Sequence, residues 1–296
     1  MSTYFVTIST FIAIQAIVAY GLNIIVGYAG QISLGHAAFF GIGAYTAGLL
    51  ATKGGLSFWA ALPIVLLICG ALCVVLGLPS LRVREDFLAI TTIGINFIVE
   101  AVFLYVPFFG GAMGLGGIPK IVLFGVRLKG ESLLALCIAC LAIVILLCRW
   151  FTKSWAGLGC RAIASDETAA SSMGISPVRF KLLAFVLGTV IAGLGGALYA
   201  HRMGFITPAD FGFPVSTMML SIIVLGGMGT LWGPLLGAII LGALPEVFRP
   251  LADYRMLLYG ALLLLMVRFQ PGGLLGDASV LMNLLKRMKG GGRHAG

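Results

Sequence analysis

The sequence predicts an all-α polytopic membrane protein, and three observations carry that prediction. Of 296 residues, 60% are hydrophobic and only 10% charged, where a soluble domain carries about 25% charged residues. Mean hydropathy is +1.10. Apolar runs long enough to cross a bilayer, about 20 residues each, recur along the chain. The net charge of +9 is therefore no sign of a nucleic-acid partner. The partner it implies is the bilayer, because Lys and Arg gather in the cytoplasmic loops of membrane proteins and report their orientation.

The first apolar run spans Tyr4 to Val26. Lys53 is the first basic residue, so the charged leader of a cleavable signal is missing and this run is expected to stay as a span. Further runs cover Leu34 to Ala51, Phe58 to Leu78 and Phe87 to Val106. A Gly-rich loop follows, Gly110 to Gly130, with a short strand pair expected within Ile121 to Leu128. Leu133 to Phe151 and Leu182 to Ala200 come next. The stretch Val215 to Phe248 is interrupted and reads as two half-helices meeting near Gly229-Thr230, and Met256 to Phe269 closes the set. With interrupted runs counted as half-helices, the fold comprises about eight to ten transmembrane helices. Residues 1–276 form one transmembrane domain, and 277–296 a polar tail expected in the cytoplasm. The basic clusters at Arg82/Arg84, at Arg149 to Lys181 and in the tail are all expected inside, which places the N-terminus outside.

The longest polar stretch is the loop 152–181. Its middle, DETAASSMG, reads as a short helix: Ser165 as N-cap, Asp166 and Glu167 in the first turn where the helix dipole favours acids, and Gly174 at the C-terminal end. Ser176-Pro177 restarts a helix with Pro at its first position. Small Ala169 and Ala170 permit close approach, so this element suits docking into a groove on another protein. A plain solvated loop with ordinary caps fits the same pattern.

Glycines interrupt two other runs. In GYAGQISLGHAAFFGIGAY, residues 27–45, Gly27, Gly30 and Gly35 flank Gln31 and Ser33. In LGGMGTLWGPLLGA, residues 225–238, Gly227 and Gly229 stand among others. Backbone that leaves helical geometry at membrane depth must line a cavity or be buried in protein. Two such breaks in two halves point to an internal repeat with the pathway between them. A polar turn joining two spans at the interface is the plainer alternative. Asn96 and Glu100 lie four apart on one face of the fourth span, and an intramembrane acid usually faces a cavity or partner. Small residues at four-residue spacing, Gly188/Ala192/Gly196 and Ala37/Gly41, mark close helix contacts. His36 has no Cys, Asp or Glu nearby and no metal site is expected. Cys137-x-x-Cys140 lies in an apolar run and reads as core packing.

These stretches carry a family resemblance. The run from Ser154 through Gly157, Arg161-Ala162-Ile163, Asp166-Glu167, Ala169-Ala170 and Met173-Gly174-Ile175 to Lys181-Leu182 and Ala184-Phe185 resembles the coupling loop of LivM-type permeases of branched-chain amino acid ABC importers. The strings at 27–45 and 226–238 resemble the same family, in the expected order. The chain departs from it at Leu158, Ala164 and Ser165, where basic or acidic residues are common. The family also carries an acid where Phe97 stands, so Glu100 inherits no role.

The resemblance implies an inverted-repeat permease like those of type II ABC importers, in a bacterial inner membrane. Its partners would be a second, LivH-like permease, two cytoplasmic ATPases and a periplasmic or lipid-anchored binding protein. ATPase coupling would fall to Ser165, Asp166, Glu167, Ala169, Ala170 and Gly174. The translocation pathway would involve Gly27, Gly30, Gln31, Ser33, Gly35, Asn96, Gly227 and Gly229. No G-x-x-x-x-G-K-[ST] occurs, so ATP and Mg would be bound by the partner ATPases, with no cofactor and no enzymatic activity in this chain. A gradient-driven transporter or channel using Glu100 and Asn96 is the rival reading.

Overall fold

A computed structural model describes residues 3–80, 85–123 and 125–247 and a few positions between 257 and 275. Arg82, Arg84, most of the run Met256 to Phe269 and the tail 277–296 lie outside the described residues.

The helices follow the apolar runs. They are α1 (Thr3–Asn23), α2 (His36–Thr52), α3 (Phe58–Ser80), α4 (Glu85–Tyr105), α5 (Glu131–Lys153), α6 (Trp155–Ser165), α7 (Glu167–Ser172), α8 (Pro177–Met203), α9 (Phe213–Gly226) and α10 (Gly233–Val247). Among the described residues, six helical stretches are long and apolar enough to cross a membrane. The helix α2, of 17 residues, and α10, of 15, are shorter. Short strands occupy one end: β1 (Leu115–Gly116), β2 (Val122–Leu123), β3 (Val126–Arg127) and β4 (Phe205–Ile206). The β2–β3 hairpin falls within the expected Ile121 to Leu128, whereas the antiparallel pairing of β1 with β4 joins segments about 90 residues apart in sequence and was not legible there.

The core is built from α1, α2 and α8, and α2 is buried along almost its whole length. Glycine makes this packing close. An added methyl at Gly21 would strike the Gly188 carbonyl, and one at Gly188 the Gly21 carbonyl. One at Gly196 would strike the Phe40 carbonyl, and Gly43 lies on Gly193. The small-residue faces thus serve contacts inside this chain, where backbones approach within van der Waals reach.

One end of the bundle carries α6 and α7. The opposite end carries the strands and the loop 106–130. The start of α1 lies at that opposite end, where Arg202 Nη2 donates to Thr7 Oγ1 at 3.2 Å. Its other end meets α6, so the start of α1 and the loop 152–181 lie at opposite ends of the bundle.

Candidate functional site

After α1 the chain tightens into a π-helical turn, Ile24–Tyr28, and then runs without helical structure to Gly35. This segment climbs back into the bundle. Gly30, in the left-handed region at φ +67, lies against Ala164 of α6. Leu34 N donates to Thr92 Oγ1 at 3.0 Å, and Gly35 presses on the Thr92 carbonyl. The new helix α2 therefore starts at the depth of mid-α4 and mid-α1. His36 Nε2 lies 3.2 Å from the Val18 carbonyl.

A second unit mirrors this one in the opposite direction. After α8, Gly204 ends the helix in the left-handed region, β4 follows, and a 3-10 turn at Pro208–Phe211 leads inward. Thr207 caps that turn, with its N–H and hydroxyl both donating to Asp210 Oδ2, at 2.7 and 3.0 Å. Asn96 Nδ2 donates to the Phe211 carbonyl at 3.4 Å. The helix α9 then starts at mid-depth and runs to the α6 end. So α1–break–α2 and α8–break–α9 form two re-entrant units of opposite direction. The sequence paired the break near residue 30 with the one near 230, and the structure corrects this: the counterpart of 29–35 is 204–212. Only its framing residues, Gly204 and Gly212, are glycines, which hid it.

The starts of α2 and α9 meet. Ala37 N donates to Ser216 Oγ at 3.0 Å, and that hydroxyl donates to Asn96 Oδ1 at 3.4 Å. All three groups are buried. Thr92 and Asn96, one turn apart on α4, thus tie the two short helices together. Gln31 and Ser33 are buried nearby in sequence, and the Gln31 amide has no hydrogen-bond partner among the described residues.

The break at 227–232 is a tight connection between α9 and α10, and it touches the first break directly. Gly229 N donates to Asn23 Oδ1 at 2.9 Å, and Asn23 Nδ2 to the Thr230 carbonyl at 3.0 Å. Tyr20 Oη donates to the Leu231 carbonyl at 2.8 Å. Gly27 and Gly229 are in backbone contact, leaving no room for a Cβ on Gly27. Leu274 and Leu275 brace Leu225 and Gly226 by backbone bonds. Of the expected pathway residues, then, Gly27, Gly227 and Gly229 fall at the α6 end, and Gly35 and Asn96 at mid-depth. Asn23, Thr92, Gly212 and Ser216 contact these residues or lie beside them, and the sequence did not single them out, because single polar residues in apolar runs carry no local pattern.

The loop 152–181 forms three elements rather than two. Ser154 caps α6, its Oγ accepting from Gly157 N at 3.3 Å. Ser165 is not a cap: it ends α6, and its hydroxyl donates to the Arg161 carbonyl at 3.0 Å. Asp166 takes the N-cap of α7, accepting from Ala169 N at 2.9 Å, because extended backbone at Asp166 separates the two helices. Gly174, at φ +82, closes α7 as expected. Glu167 Oε2 accepts from Lys181 Nζ at 2.7 Å, fastening α7 to the foot of α8. Ala170 is buried and Ala169 exposed. Arg161 sits over the Tyr28 ring, 5.2 Å from its centroid. Cys160 is buried against α8, and its thiol is pushed up to about 11 by that burial.

Re-entrant units of opposite direction, joined at mid-depth by short helices and carrying a capped polar loop at one end, define an all-α polytopic permease. Residues 4–267 match the family described as branched-chain amino acid transport system / permease component. The chain belongs to this family. It is 37% identical over 295 residues to the high-affinity branched-chain amino acid transport system permease protein LivM of Escherichia coli K12, covering 91% of this chain and 69% of that one. The LivM protein of Salmonella typhimurium LT2 is 36% identical over the same shares. The LivH protein of Escherichia coli K12 is 35% identical over 127 residues, 42% of this chain and 41% of that one. Among solved structures, PsaBC from Streptococcus pneumoniae in complex with Fab has a similar fold, with a TM-score of 0.50 at 16% identity over 97% of this chain and 96% of that one.

Proposed function

We propose that this permease imports branched-chain amino acids across a bacterial inner membrane as one subunit of an ABC transporter. A second, LivH-like permease, two cytoplasmic ATPases that bind ATP and Mg, and a periplasmic or lipid-anchored binding protein complete the assembly. Hydrolysis belongs to the ATPases. The names of the relatives support the substrate class.

The contact of α6 with the first break carries the reading. An ATPase that grips α7 through its exposed Asp166 and Ala169, with the buried Ala170 packed inward, also moves α6, which adjoins it with one extended residue between. Arg161 on Tyr28 and Ala164 on Gly30 pass that movement to residues 28–30. From there it reaches Gly229 through Gly27, and Thr92 through Gly35. The Glu167–Lys181 ion pair transmits to α8 at the same time. Displacement at one end therefore reaches both re-entrant units, which is how a push switches access between two sides.

Vesicles reconstituted with all subunits test this. Labelled leucine should accumulate only with ATP, and Arg161→Ala should lower uptake while ATP hydrolysis continues. Uptake driven by a proton or sodium gradient without the ATPases would refute the reading and favour the gradient-driven alternative.

A further inference from the structure

Glu100 is an acid within the membrane-spanning part of α4. It stands five residues from the end of that helix at Tyr105, or about 7 to 8 Å inward at 1.5 Å per residue. It has no hydrogen-bond or ionic partner among the described residues. A lone carboxylate at such depth is costly unless it faces water or a cation.

Its surroundings keep it open. Both carboxylate oxygens lie 3.2 Å from where a Cβ on Gly212 would be, so that glycine leaves them clear. Gly212 is also the N-cap of α9, which begins the second re-entrant helix. One turn along α4, Asn96 holds Ser216 and the Phe211 carbonyl, and one turn further Thr92 holds Leu34. Glu100 thus ends a polar row, Thr92–Asn96–Glu100, at spacing that keeps all three on one helix face. The row runs from the meeting point of the two units toward the end bearing the strands. Phe97, 54% exposed, stacks on Phe213 beside it at 6.1 Å between centroids. This side of the chain is not covered by its own described helices.

We propose that Glu100 is the cation-recognising group of the translocation path, holding the ammonium of a zwitterionic amino acid between the outer end and the mid-depth junction. The inference rests on the function proposed above. A carboxylate is the natural acceptor for a primary ammonium, through short charge-assisted hydrogen bonds. A partly exposed carboxylate binds it reversibly, as a path rather than a trap requires. Asn96 and Thr92 are spent on holding α2 and α9, which leaves Glu100 as the free polar group of the row.

The test uses the full assembly in vesicles, with leucine as probe. Glu100→Gln keeps size and removes charge. Loss of one charge-assisted hydrogen bond predicts a rise in the half-saturating leucine concentration, or a fall in uptake, of roughly tenfold or more. Glu100→Asp should retain part of the activity. In a second measurement, Glu100→Cys is exposed from outside to ethylammonium and sulfonate methanethiosulfonates. Labelling above the wild-type background, slowed by leucine, is expected.

Three results overturn the proposal. The first is wild-type transport by Glu100→Gln. The second is loss of the second permease on purification of Glu100→Gln, which would make Glu100 half of an intersubunit ion pair. The third is an unlabelled Glu100→Cys in an assembled complex. If instead the wild-type assembly accumulates no amino acid with ATP, the proposed function itself has failed, and that outcome is read before any variant.

Discussion

Replacing Asn23 by leucine tests whether the two glycine breaks are held together as the structure places them. The Asn23 amide both accepts from Gly229 N and donates to the Thr230 carbonyl, and it is 1% exposed. Leucine has the same branching at Cγ but neither function. Hydrogen bonds between helices in membranes contribute about 0.6 kcal/mol on average and up to about 1.7. The Gly229 N–H and the Thr230 carbonyl, on half-buried residues, add up to about 1–3 kcal/mol each where neither water nor protein replaces Asn23. Partial relaxation brings the expected loss to roughly 2–4 kcal/mol. At about 2–4 °C per kcal/mol for a chain of this size class, the melting point should fall by about 5 °C or more. A fluorogenic maleimide reports the melt in detergent, because of the six cysteines five are buried and Cys140 is half-buried. Gln15→Leu is the contrast: Gln15 is also buried, but its Oε1 has no partner among the described residues. That variant should be neutral or more stable. An Asn23→Leu protein melting within about 1 °C of wild type would refute the bracing of the two breaks, given the magnitudes above.

Glu167→Gln should loosen α7 from α8, at about 1–2 kcal/mol, because Lys181 is buried while Glu167 is more than one-third exposed. A double-mutant cycle with Lys181→Met should show coupling of the same order, and additivity would count against the pair. Cys160, with its thiol raised to about 11, should resist maleimide in the folded protein at neutral pH and react once denatured. Its linkage has a definite sign. The raised thiol favours the folded state fully below pH 9.0, the ordinary value, and this contribution is lost as pH rises toward about 11. Gly43→Leu should abolish assembly of the core, since Gly43 lies on the Gly193 backbone. Uptake and a monodisperse elution profile would both have to vanish.

Much of the architecture is legible because lipid constrains sequence so strongly. A span must be apolar for about 20 residues, so α1, α3, α4, α5 and α8 announce themselves by length and composition. Caps act within one turn, so Gly174, Ser176 and Pro177 could be placed from spacing alone. Ser165 could not be told from Asp166, since both are good caps and only the backbone angle at the α6–α7 joint chooses between them.

What the sequence could not decide were contacts set by distant parts of the chain. The re-entry at 204–212 was hidden because its groups are satisfied locally by Thr207 and Asp210 and distantly by Asn96. The meeting of Gly27 with Gly229, and of Arg161 with Tyr28, joins residues far apart in the chain, and local pattern carries no information about such pairs. Sequence alone determined a polytopic membrane protein with a capped polar loop and glycine breaks, because hydropathy, caps and glycine are local properties. Tertiary structure decided which breaks form a pair, which face Glu100 takes and how α6 reaches Tyr28 and Gly30, because those follow from packing of α1, α2 and α8 against one another.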